Sequence, residues 1–502
     1  MPIFNSNVYT GKEAKDMLMR GVDIVADAVK TTLGARGSNA ILQEPVQPFH
    51  VVTNDGVSIA EKVRSHHPVE NIGVGLMKEV ASRANNESGD GTTTAVVLAQ
   101  AILRGGMDAG AKGIEVMRSL NECLPIIEAA IDDQKRDITV DEVEAVATVS
   151  GESKELGAML QKIYQEIGPE GIIELDNSGT FETAYSVTEG VRLRGAGFVS
   201  QHMATEGSKA VYKNPKVLVV KQRIATLTDI DGIFAQLSKD GTNELVMFVD
   251  DIDQSVLAAL AYTHARGIFK TLIIKAPTLW KDWLFEDLAK ITGATVVEPS
   301  TGVTLKTVGL VHLGTCEKLT TTKDETVVVG IKDISGHVKA LEADENPDTR
   351  LRVSWLKTKA ATLRLGASSD SELSYKRLKA EDARNASWLA LKHGVVPGGG
   401  VALYNAADKM PDTIGGNILR KALRAPIRQI MLNAGETESA MNMLESRAPS
   451  VGYDANTREL VDMWEAGIVD PTKVVKNSVR NAISVAGTVL TAETITIIPK
   501  EV

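Results

Sequence analysis

Residues 89–95, with the sequence GDGTTTA, combine groups that bind phosphate and a divalent cation. The two glycines let the backbone approach a ligand closely and adopt positive φ. Because the turn leads directly into the apolar residues 96–99, we expect free N–H groups at a helix start, where phosphate oxygens bind. Asp90 offers a hard oxygen to Mg²⁺, and Thr92, Thr93 and Thr94 offer hydroxyl groups. A helix capped by Asp90 or Thr92 after a glycine turn explains the same residues equally well.

Other carboxylates on turns or on a predicted helix are candidates for the same chemistry: Asp55, Asp382, Asp454 and Asp470. Each also has a structural explanation. Asp470 precedes Pro471, as a helix N-cap precedes a proline at the first helical position. Asp382 fits a solvated helix charge that pairs with Lys379, and Asp454 fits an Asx-turn. Judged singly from its residue type and neighbours, each of the four favours the structural explanation.

Motifs of several other catalytic classes are absent from the sequence. It contains no GxxxxGK[ST] phosphate loop, no complete GxGxxG fingerprint and no HExxH pair of zinc ligands. It also has no GxSxG nucleophile elbow. A small-molecule kinase that uses the 89–95 loop is therefore a poor hypothesis.

Length and composition indicate a multidomain globular protein. The chain has 502 residues, 43% of them hydrophobic, and a formal net charge of −10 without a basic block. We therefore expect two or three domains and no nucleic-acid partner. No apolar run is long enough to cross a bilayer, so we expect no membrane partner. The two isolated cysteines, Cys123 and Cys316, favour a reducing compartment, and we predict a cytoplasmic protein.

Apolar spacing predicts helical segments at both ends of the chain. Early helices are expected at residues 12–33, 68–85, 93–109 and 112–133. Strands at 39–42 and 51–53 precede residues 54–56, Asn-Asp-Gly, whose composition is typical of a β-hairpin. The helical pattern returns after residue 338, with a long helix at 371–393. We expect the two helical ends to form one domain that the intervening residues split.

The middle of the chain has a different pattern. Residues 134–190 read as a small connecting module of helices, a turn and a strand. In residues 216–298, strand-like apolar runs alternate with three amphipathic helices. This alternation is typical of a parallel sheet covered by helices. The fold class that we predict is therefore multidomain, with a mainly helical split domain and an inserted α/β domain.

Five motifs together resemble those of the group I chaperonins, the GroEL family. In order, they are TLG at 32–34, NDGVS at 54–58, GDGTTTA at 89–95, GVVPGGGVAL at 394–403 and GIVDPTK at 467–473. The match runs from about residue 12 to residue 499. The resemblance implies an equatorial domain at 1–133 and 393–502, an intermediate domain at 134–189 and 360–392, and an apical domain at 190–359.

The resemblance also implies an ATP site with Mg²⁺ and K⁺ in the equatorial domain. In this family pattern Asp90 holds Mg²⁺, Asp55 positions the attacking water and Asp382 activates it. Such hydrolysis works by positioning and charge compensation, without a covalent intermediate. The other implied nucleotide contacts are Thr32, Leu33, Gly34, Ala35, Asn54, Gly91, Thr92, Thr93, Thr94, Gly399, Asp454, Ala455, Asn456 and Asp470.

Some positions depart from the family pattern. Asn54 replaces a lysine, which removes a cation near the phosphates, and Ala35 and Asp454 replace a proline and an asparagine. We therefore expect weaker or slower ATP handling. At the upper hinge Gly190 is kept, but Thr358 and Lys359 replace a glycine pair, so a stiffer apical movement is expected.

The resemblance places a client-binding surface on the apical domain at Phe198, His202, Met203, Phe234, Leu257, Ala261 and Tyr262. Exposed apolar groups of this kind capture unfolded chains without sequence preference. Two observations weaken this assignment. Asp231 stands where the family has leucine. The stripe of Leu227, Ile230, Phe234 and Leu237 is equally consistent with the core face of a helix.

The implied partners are unfolded polypeptides, further copies of the chain and a lid co-chaperonin. We predict a seven-subunit ring in which the stacking of two rings is weak or nucleotide-dependent. In the family pattern, Lys112 lies near a symmetry axis, where it would face the same positive charge on a second copy. Thr437 replaces a family glutamate that pairs with the arginine equivalent to Arg428. These departures suggest a specialised member, such as a viral copy. The predicted function is ATP-dependent folding of enclosed polypeptides, and the alternative is a ring-shaped holdase or assembly scaffold that binds nucleotide without refolding.

Overall fold

The computed structural model describes residues 7–43, 50–207, 209–276, 281–343, 347–357 and 359–497. The chain divides into two compact units. Unit 1 consists of residues 1–169, 175–184 and 364–502, and unit 2 consists of residues 170–174 and 185–363. Both ends of the chain thus belong to one unit, as predicted. Most residues of the predicted intermediate domain fall in unit 1, so a separate third domain stays a prediction.

Unit 1 is built mainly of helices whose apolar stripes form one core. In the first of them the apolar side chains of Leu18, Val22, Val25 and Val29 are all buried. The helices are α1 (Gly11–Lys30), α2 (Gly56–Lys62), α3 (Pro68–Ser88), α4 (Thr92–Asp108), α5 (Gly113–Asp132), α6 (Val143–Gly151), α7 (Lys154–Ile167), α13 (Asp370–His393), α14 (Val401–Ala407), α15 (Ile414–Ala422), α16 (Ala425–Asn433) and α17 (Thr472–Thr491). The helices predicted from the sequence are confirmed to within a few residues.

Short antiparallel strand pairs connect these helices. They are β1 (Asn7–Thr10) with β19 (Thr494–Ile497), β2 (Ala40–Gln43) with β3 (His50–Thr53), β15 (Val395–Pro397) with β18 (Val469–Pro471), and β16 (Val451–Asp454) with β17 (Glu459–Asp462). The β-hairpin expected at residues 54–56 is wrong. The chain enters α2 there, because the Asp55 side chain accepts hydrogen bonds from the Val57 and Ser58 N–H groups and caps the helix.

Unit 2 contains the predicted parallel sheet. Strands β10, β7, β8 and β9 follow one another in parallel, and β11 joins β7 antiparallel. The strands are β7 (Lys216–Ile224), β8 (Glu244–Ile252), β9 (Lys270–Lys275), β10 (Val296–Val297) and β11 (Gly314–Thr315). The helices of this region are α8 (Asp231–Lys239), α9 (Gln254–Ala265) and α10 (Lys281–Thr292). The inserted α/β architecture is therefore confirmed.

A second sheet of six strands has the order β4-β14-β5-β13-β12-β6. Its strands are β4 (Ile172–Asn177), β5 (Ala184–Arg194), β6 (Ala210–Lys213), β12 (Lys318–Thr321), β13 (Glu325–Val329) and β14 (Lys359–Leu365), and the remaining helices are α11 (Ser335–Glu342) and α12 (Pro347–Leu356). Hinge position Thr358 lies outside the described residues. No helix among the described residues has the length and apolar character needed to span a bilayer.

Candidate active site

The glycine–aspartate turn joins α3 to α4, and both glycines have positive φ. Gly89 (φ +63°) ends α3, and Gly91 (φ +78°) is the N-cap of α4 without any side-chain cap. The explanation of this turn as a helix capped by Asp90 or Thr92 is therefore wrong. Asp90 Oδ1 accepts a hydrogen bond from the Gly91 N–H at 2.5 Å, and its Oδ2 accepts one from the Ser150 hydroxyl at 2.7 Å. The first turn of α4 thus keeps N–H groups for an anionic ligand.

Close packing fixes the turn between neighbouring elements. A methyl group added to Gly91 would lie 2.6 Å from Val474 Cγ1 and 2.7 Å from Ser478 Oγ, both on α17. A methyl group on Gly56 would lie 2.6 Å from Thr93 Oγ1. The start of α2, which Asp55 caps, therefore lies directly against the start of α4.

Asp382, on α13, belongs to the same group of carboxylates. Burial raises its pKa well above the ordinary value, the charges of Asp90 and Asp55 raise it further, and the charge of Lys379 acts in the opposite direction. The charges of these carboxylates would not shift the pKa of an isolated, solvated helix residue, so that explanation of Asp382 is wrong. The hydrogen bond of Lys379 is made with Glu152 Oε1, at 2.8 Å from Nζ, and Lys379 acts on Asp382 through its charge.

Asp470 lies on β18, opposite Val396 of β15. Helix α17 begins after it, and its N-cap is Pro471, so the explanation of Asp470 as the N-cap is wrong. Burial and, secondly, the charge of Asp90 raise the pKa of Asp470 to about 7. The pKa of Asp90 is itself raised by burial, an effect that the hydrogen bonds from Ser150 and Gly91 partly offset. Asp55, Asp90, Asp382 and Asp470 therefore converge on one site.

The raised pKa of Asp470 predicts a dependence of stability on pH. Below about pH 4 the carboxyl group is protonated in both the folded and the unfolded chain. As the pH rises from about 4 to about 7, the unfolded chain loses its proton first, so this group makes the folded state progressively less stable. We expect Asp470→Asn to raise the free energy of unfolding by roughly 2 kcal/mol at pH 8 and by much less at pH 4.5.

Denaturant titrations at the two pH values, without nucleotide, measure this difference. Asp412→Asn is a suitable control, because the Asp412 side chain is 91% exposed. Equal changes in stability for Asp470→Asn at both pH values would contradict the prediction.

A second group of predicted nucleotide contacts forms the turn after α1. The Thr32 hydroxyl donates to the Val29 carbonyl at 2.8 Å, and Gly34 has φ +85°. A side chain at Gly34 would also meet Ile430 at 3.0 Å. Ala35 is exposed on the same turn, and Leu33 packs against the apolar cluster that contains Ala455.

Two residues that the sequence analysis missed hold this turn in place. Asn433 Nδ2 donates to the carbonyls of Lys30 (2.9 Å) and Leu33 (2.8 Å). Arg36 donates to the Asn456 carbonyl at 2.9 Å and so joins the turn to the β16–β17 hairpin. Neither residue lies in a motif that predicts these contacts, which connect positions about 400 residues apart in the chain.

The remaining predicted contacts line the apolar side of the same region. Gly399 has φ +60°, and a side chain there would point toward Met463, Ile468 and the Tyr453 carbonyl, the nearest atom being 3.8 Å away. Ala455 is buried in the adjacent cluster. These small and apolar groups form a surface that suits the flat face of a nucleotide base.

The Asx-turn expected at Asp454 is confirmed. Asp454 Oδ1 accepts from the Asn456 N–H at 2.8 Å, and Oδ2 accepts from the Thr457 hydroxyl at 3.1 Å. Its carboxylate therefore stabilises the hairpin end that carries Ala455 and Asn456.

The chemistry of the site fits a magnesium nucleotide. Among the described ranges, no three His, Cys, Asp or Glu side chains lie close enough to hold a metal ion by themselves. Mg²⁺ is commonly bound by one or two carboxylates together with substrate phosphates. The recessed Asp90, next to the uncapped start of α4, offers such a partial set of ligands.

The predicted client-binding surface needs a correction. Phe198, Met203 and Ala261 are buried in the core of unit 2, because Phe198 pairs with β9, Met203 Sδ accepts from the Ile273 N–H of β9, and Ala261 lies on the buried side of α9. Phe234 and Leu257 are half-buried, and the Phe234 ring packs on Phe269 at a centroid distance of 4.7 Å. His202 and Tyr262 are exposed.

The predicted apolar stripe near α8 mostly faces the core. Ile230 and Leu237 are buried and Phe234 is half-buried, whereas Leu227 is exposed. Asp231 is exposed at the start of α8. The explanation of the stripe as a core face is therefore correct for all but Leu227.

Comparison with known proteins agrees with this architecture. A solved structure of the chaperonin gp146 from the bacteriophage EL 2 (Pseudomonas aeruginosa), in the presence of ATP-BeFx, is similar over 98% of this chain and 99% of that one, with a TM-score of 0.68 and 18% identity. A second crystal form of gp146 gives a TM-score of 0.66 at the same identity and coverage. Residues 25–499 match the TCP-1/cpn60 chaperonin family. With that match spanning nearly the whole sequence, the chain belongs to the TCP-1/cpn60 chaperonin family.

Proposed function

We propose that this chaperonin hydrolyses ATP and uses the reaction to fold polypeptides that it encloses. The observation that carries the proposal is the convergence of Asp55, Asp90, Asp382 and Asp470 beside the uncapped start of α4. Four carboxylates in one recessed site repel one another. Mg²⁺ bound at Asp90 would relieve that repulsion, and the N–H groups at the start of α4 would bind phosphate oxygens, so a magnesium nucleotide is the ligand that fits the site best.

Each residue of the site would have a separate role in ATP hydrolysis. Asp90 would hold Mg²⁺, which when bound neutralises developing charge on the phosphates. Asp55 would orient the attacking water, and Asp382 would accept its proton. Thr92, Thr93 and Thr94, with the N–H groups at the start of α4, would bind phosphate oxygens. K⁺ would assist in charge compensation.

The turn at Thr32, Leu33, Gly34 and Ala35 would line the phosphates. The base would lie against the apolar face that Gly399 and Ala455 form. Asp470 would contact the ribose. Asp454 would act indirectly, by stabilising the hairpin end that presents Asn456.

Recovery of a chemically denatured enzyme tests the folding activity. We expect recovery with the protein and ATP, and little recovery with ATP and the Asp382→Ala variant. A non-hydrolysable ATP analogue separates turnover from binding. Addition of a lid co-chaperonin tests whether enclosure needs that partner.

A nucleotide-binding holdase is the alternative function. It would prevent aggregation of the denatured enzyme equally well with and without ATP, and would give no ATP-dependent recovery even with a co-chaperonin. The exposed His202 and Tyr262, with the exposed apolar side chains of Leu227 and Ile268, are the best candidates for a client surface. We expect either function to take place in the cytoplasm.

We propose further that the chain forms a seven-subunit ring whose pairing with a second ring is weak. Within the chain, Arg428 is already paired with the neighbouring Glu438, at 2.8 Å between Nε and Oε2. An arginine that is already paired within its own chain is less available for an ion pair with a second ring. Lys112 is exposed just before α5, where two copies facing each other would repel.

Native mass spectrometry tests this assembly. We expect single rings to dominate without nucleotide, and Lys112→Ala to increase the proportion of double rings. Stable fourteen-subunit particles of the unmodified protein in every nucleotide state would contradict the proposal.

A further inference from the structure

Three polar side chains from separate parts of unit 1 contact the carboxylate of Glu152. Asn54 Nδ2 lies 3.0 Å and 2.9 Å from its two carboxylate oxygens, Lys379 Nζ lies 2.8 Å from Oε1, and the Tyr375 hydroxyl lies 3.4 Å from Oε2. Asn54 directly precedes the candidate site residue Asp55. Lys379 and Tyr375 lie on α13, the helix that carries Asp382.

The backbone at Glu152 indicates that its position is strongly determined. Glu152 ends α6 in the left-handed conformation, with φ +52°. A residue with a side chain adopts this conformation at a cost, and it persists where surrounding contacts fix it. Here the contacts are those with Asn54, Lys379 and Tyr375.

Lys379 is nearly buried, with 8% of the residue exposed. A buried ammonium group needs a partner, and Glu152 supplies it. Lys379 stands three residues before Asp382, so both side chains project from the same side of α13. The charged groups that act on Asp382 are Asp90, Asp55 and Glu381, which are all negative, and Lys379, which is positive.

We propose that Glu152 and Lys379 are positioning residues for ATP hydrolysis: Glu152, held by Asn54, fixes the Lys379 ammonium beside Asp382, where its charge compensates the carboxylate cluster. This inference rests on the proposed ATPase activity. It adds that the contact of Asn54 and Lys379 through Glu152 determines how well Asp382 accepts the proton of the attacking water.

Steady-state ATPase kinetics of single variants give the first test. We expect Lys379→Met to lower kcat about tenfold or more while KM for ATP changes less than threefold, because the lost charge acts on the chemical step. Lys379→Arg should stay within threefold of the unmodified protein. Lys376→Met is the matched control, since Lys376 is on the same helix and pairs with Glu372 at 2.8 Å.

The exchanged pair, Glu152→Lys with Lys379→Glu, separates positioning from simple structural support. If the pair only stabilises the fold, the exchange restores both thermal stability and turnover relative to Lys379→Met. We expect the restored ion pair to return part of the lost stability while kcat stays at least tenfold below that of the unmodified protein, because a negative charge then faces Asp382.

If the exchanged protein fails to fold, Glu152→Gln decides the question, with an expected drop of at least threefold in kcat. Unchanged kcat in Lys379→Met, or full recovery of kcat in the exchanged pair, would overturn the inference. An unmodified protein without any ATPase activity would instead overturn the proposed function.

Discussion

Replacing Asp382 by asparagine is expected to lower kcat for ATP hydrolysis about 100-fold while ATP binding stays within threefold. Asparagine has nearly the same shape as aspartate but cannot accept a proton from the attacking water. The same change removes one negative charge from a group of carboxylates that repel one another. We therefore expect the nucleotide-free variant to be more stable than the unmodified protein at neutral pH.

The sign of this stability change follows from the raised pKa of Asp382. Ionisation of a carboxyl group whose folded pKa lies above the unfolded value opposes folding, and the penalty is fully present above the folded pKa. Asparagine never ionises, so it avoids the penalty. Lower turnover together with a higher unfolding temperature would be difficult to explain by damage to the fold.

Single-turnover hydrolysis measures the rate of the chemical step, and equilibrium binding of a fluorescent ATP analogue measures the affinity for nucleotide. Glu381→Gln is the matched control, because it removes a carboxylate from the adjacent position of the same helix and should leave kcat within threefold. A kcat within threefold of the unmodified protein for Asp382→Asn would show that another residue accepts the proton.

Replacing Gly91 by alanine is expected to cost roughly 2–5 kcal/mol of folding free energy and to abolish nucleotide binding. A residue with a Cβ at φ +78° contributes about 1–2 kcal/mol of this cost. Overpacking contributes about 1–3 kcal/mol, because the new methyl group would lie 2.6 Å from Val474 and 2.7 Å from Ser478. Relief of that overlap requires the turn to move away from α17, and Asp90 would move with it.

Gly110→Ala separates the two contributions. Gly110 has φ +65°, but an added methyl group there would have no atom within 4 Å. We expect this control to lose only about 1–2 kcal/mol and to bind nucleotide normally. Chemical denaturation and calorimetric ATP binding give both quantities. Equal losses of stability in the two variants would contradict the role assigned to packing against α17.

The glycine–aspartate turn shows how far local sequence can determine a site. Two glycines around Asp90, followed by threonines and an apolar run, predict a turn with positive φ at the start of a helix. That prediction depends on conformational preferences of adjacent residues, and it is confirmed. The helices and the parallel sheet were predictable for a similar reason, since apolar spacing records which face of an element is buried.

The assembly of the carboxylates was not predictable from their surroundings in the sequence. Asp470 next to Pro471 has the local features of an N-cap, and Asp382 has those of a solvated helix charge. Only the pairing of β18 with β15 and the placement of α13 bring both aspartates to Asp90. The motif resemblance did predict their membership of one site, but it could not supply the contacts.

Burial on the predicted client surface likewise depended on the fold. Phe198, Met203 and Ala261 are apolar in either case, and only their packing in unit 2 places them in its core. The sequence by itself thus determined the helices, the parallel sheet, the glycine turns and the family of this protein, because these depend on spacing and on adjacent residues. The tertiary structure alone decided that Glu152 joins Asn54 to Lys379 and which elements bring the four carboxylates together, because those contacts connect residues far apart in the chain.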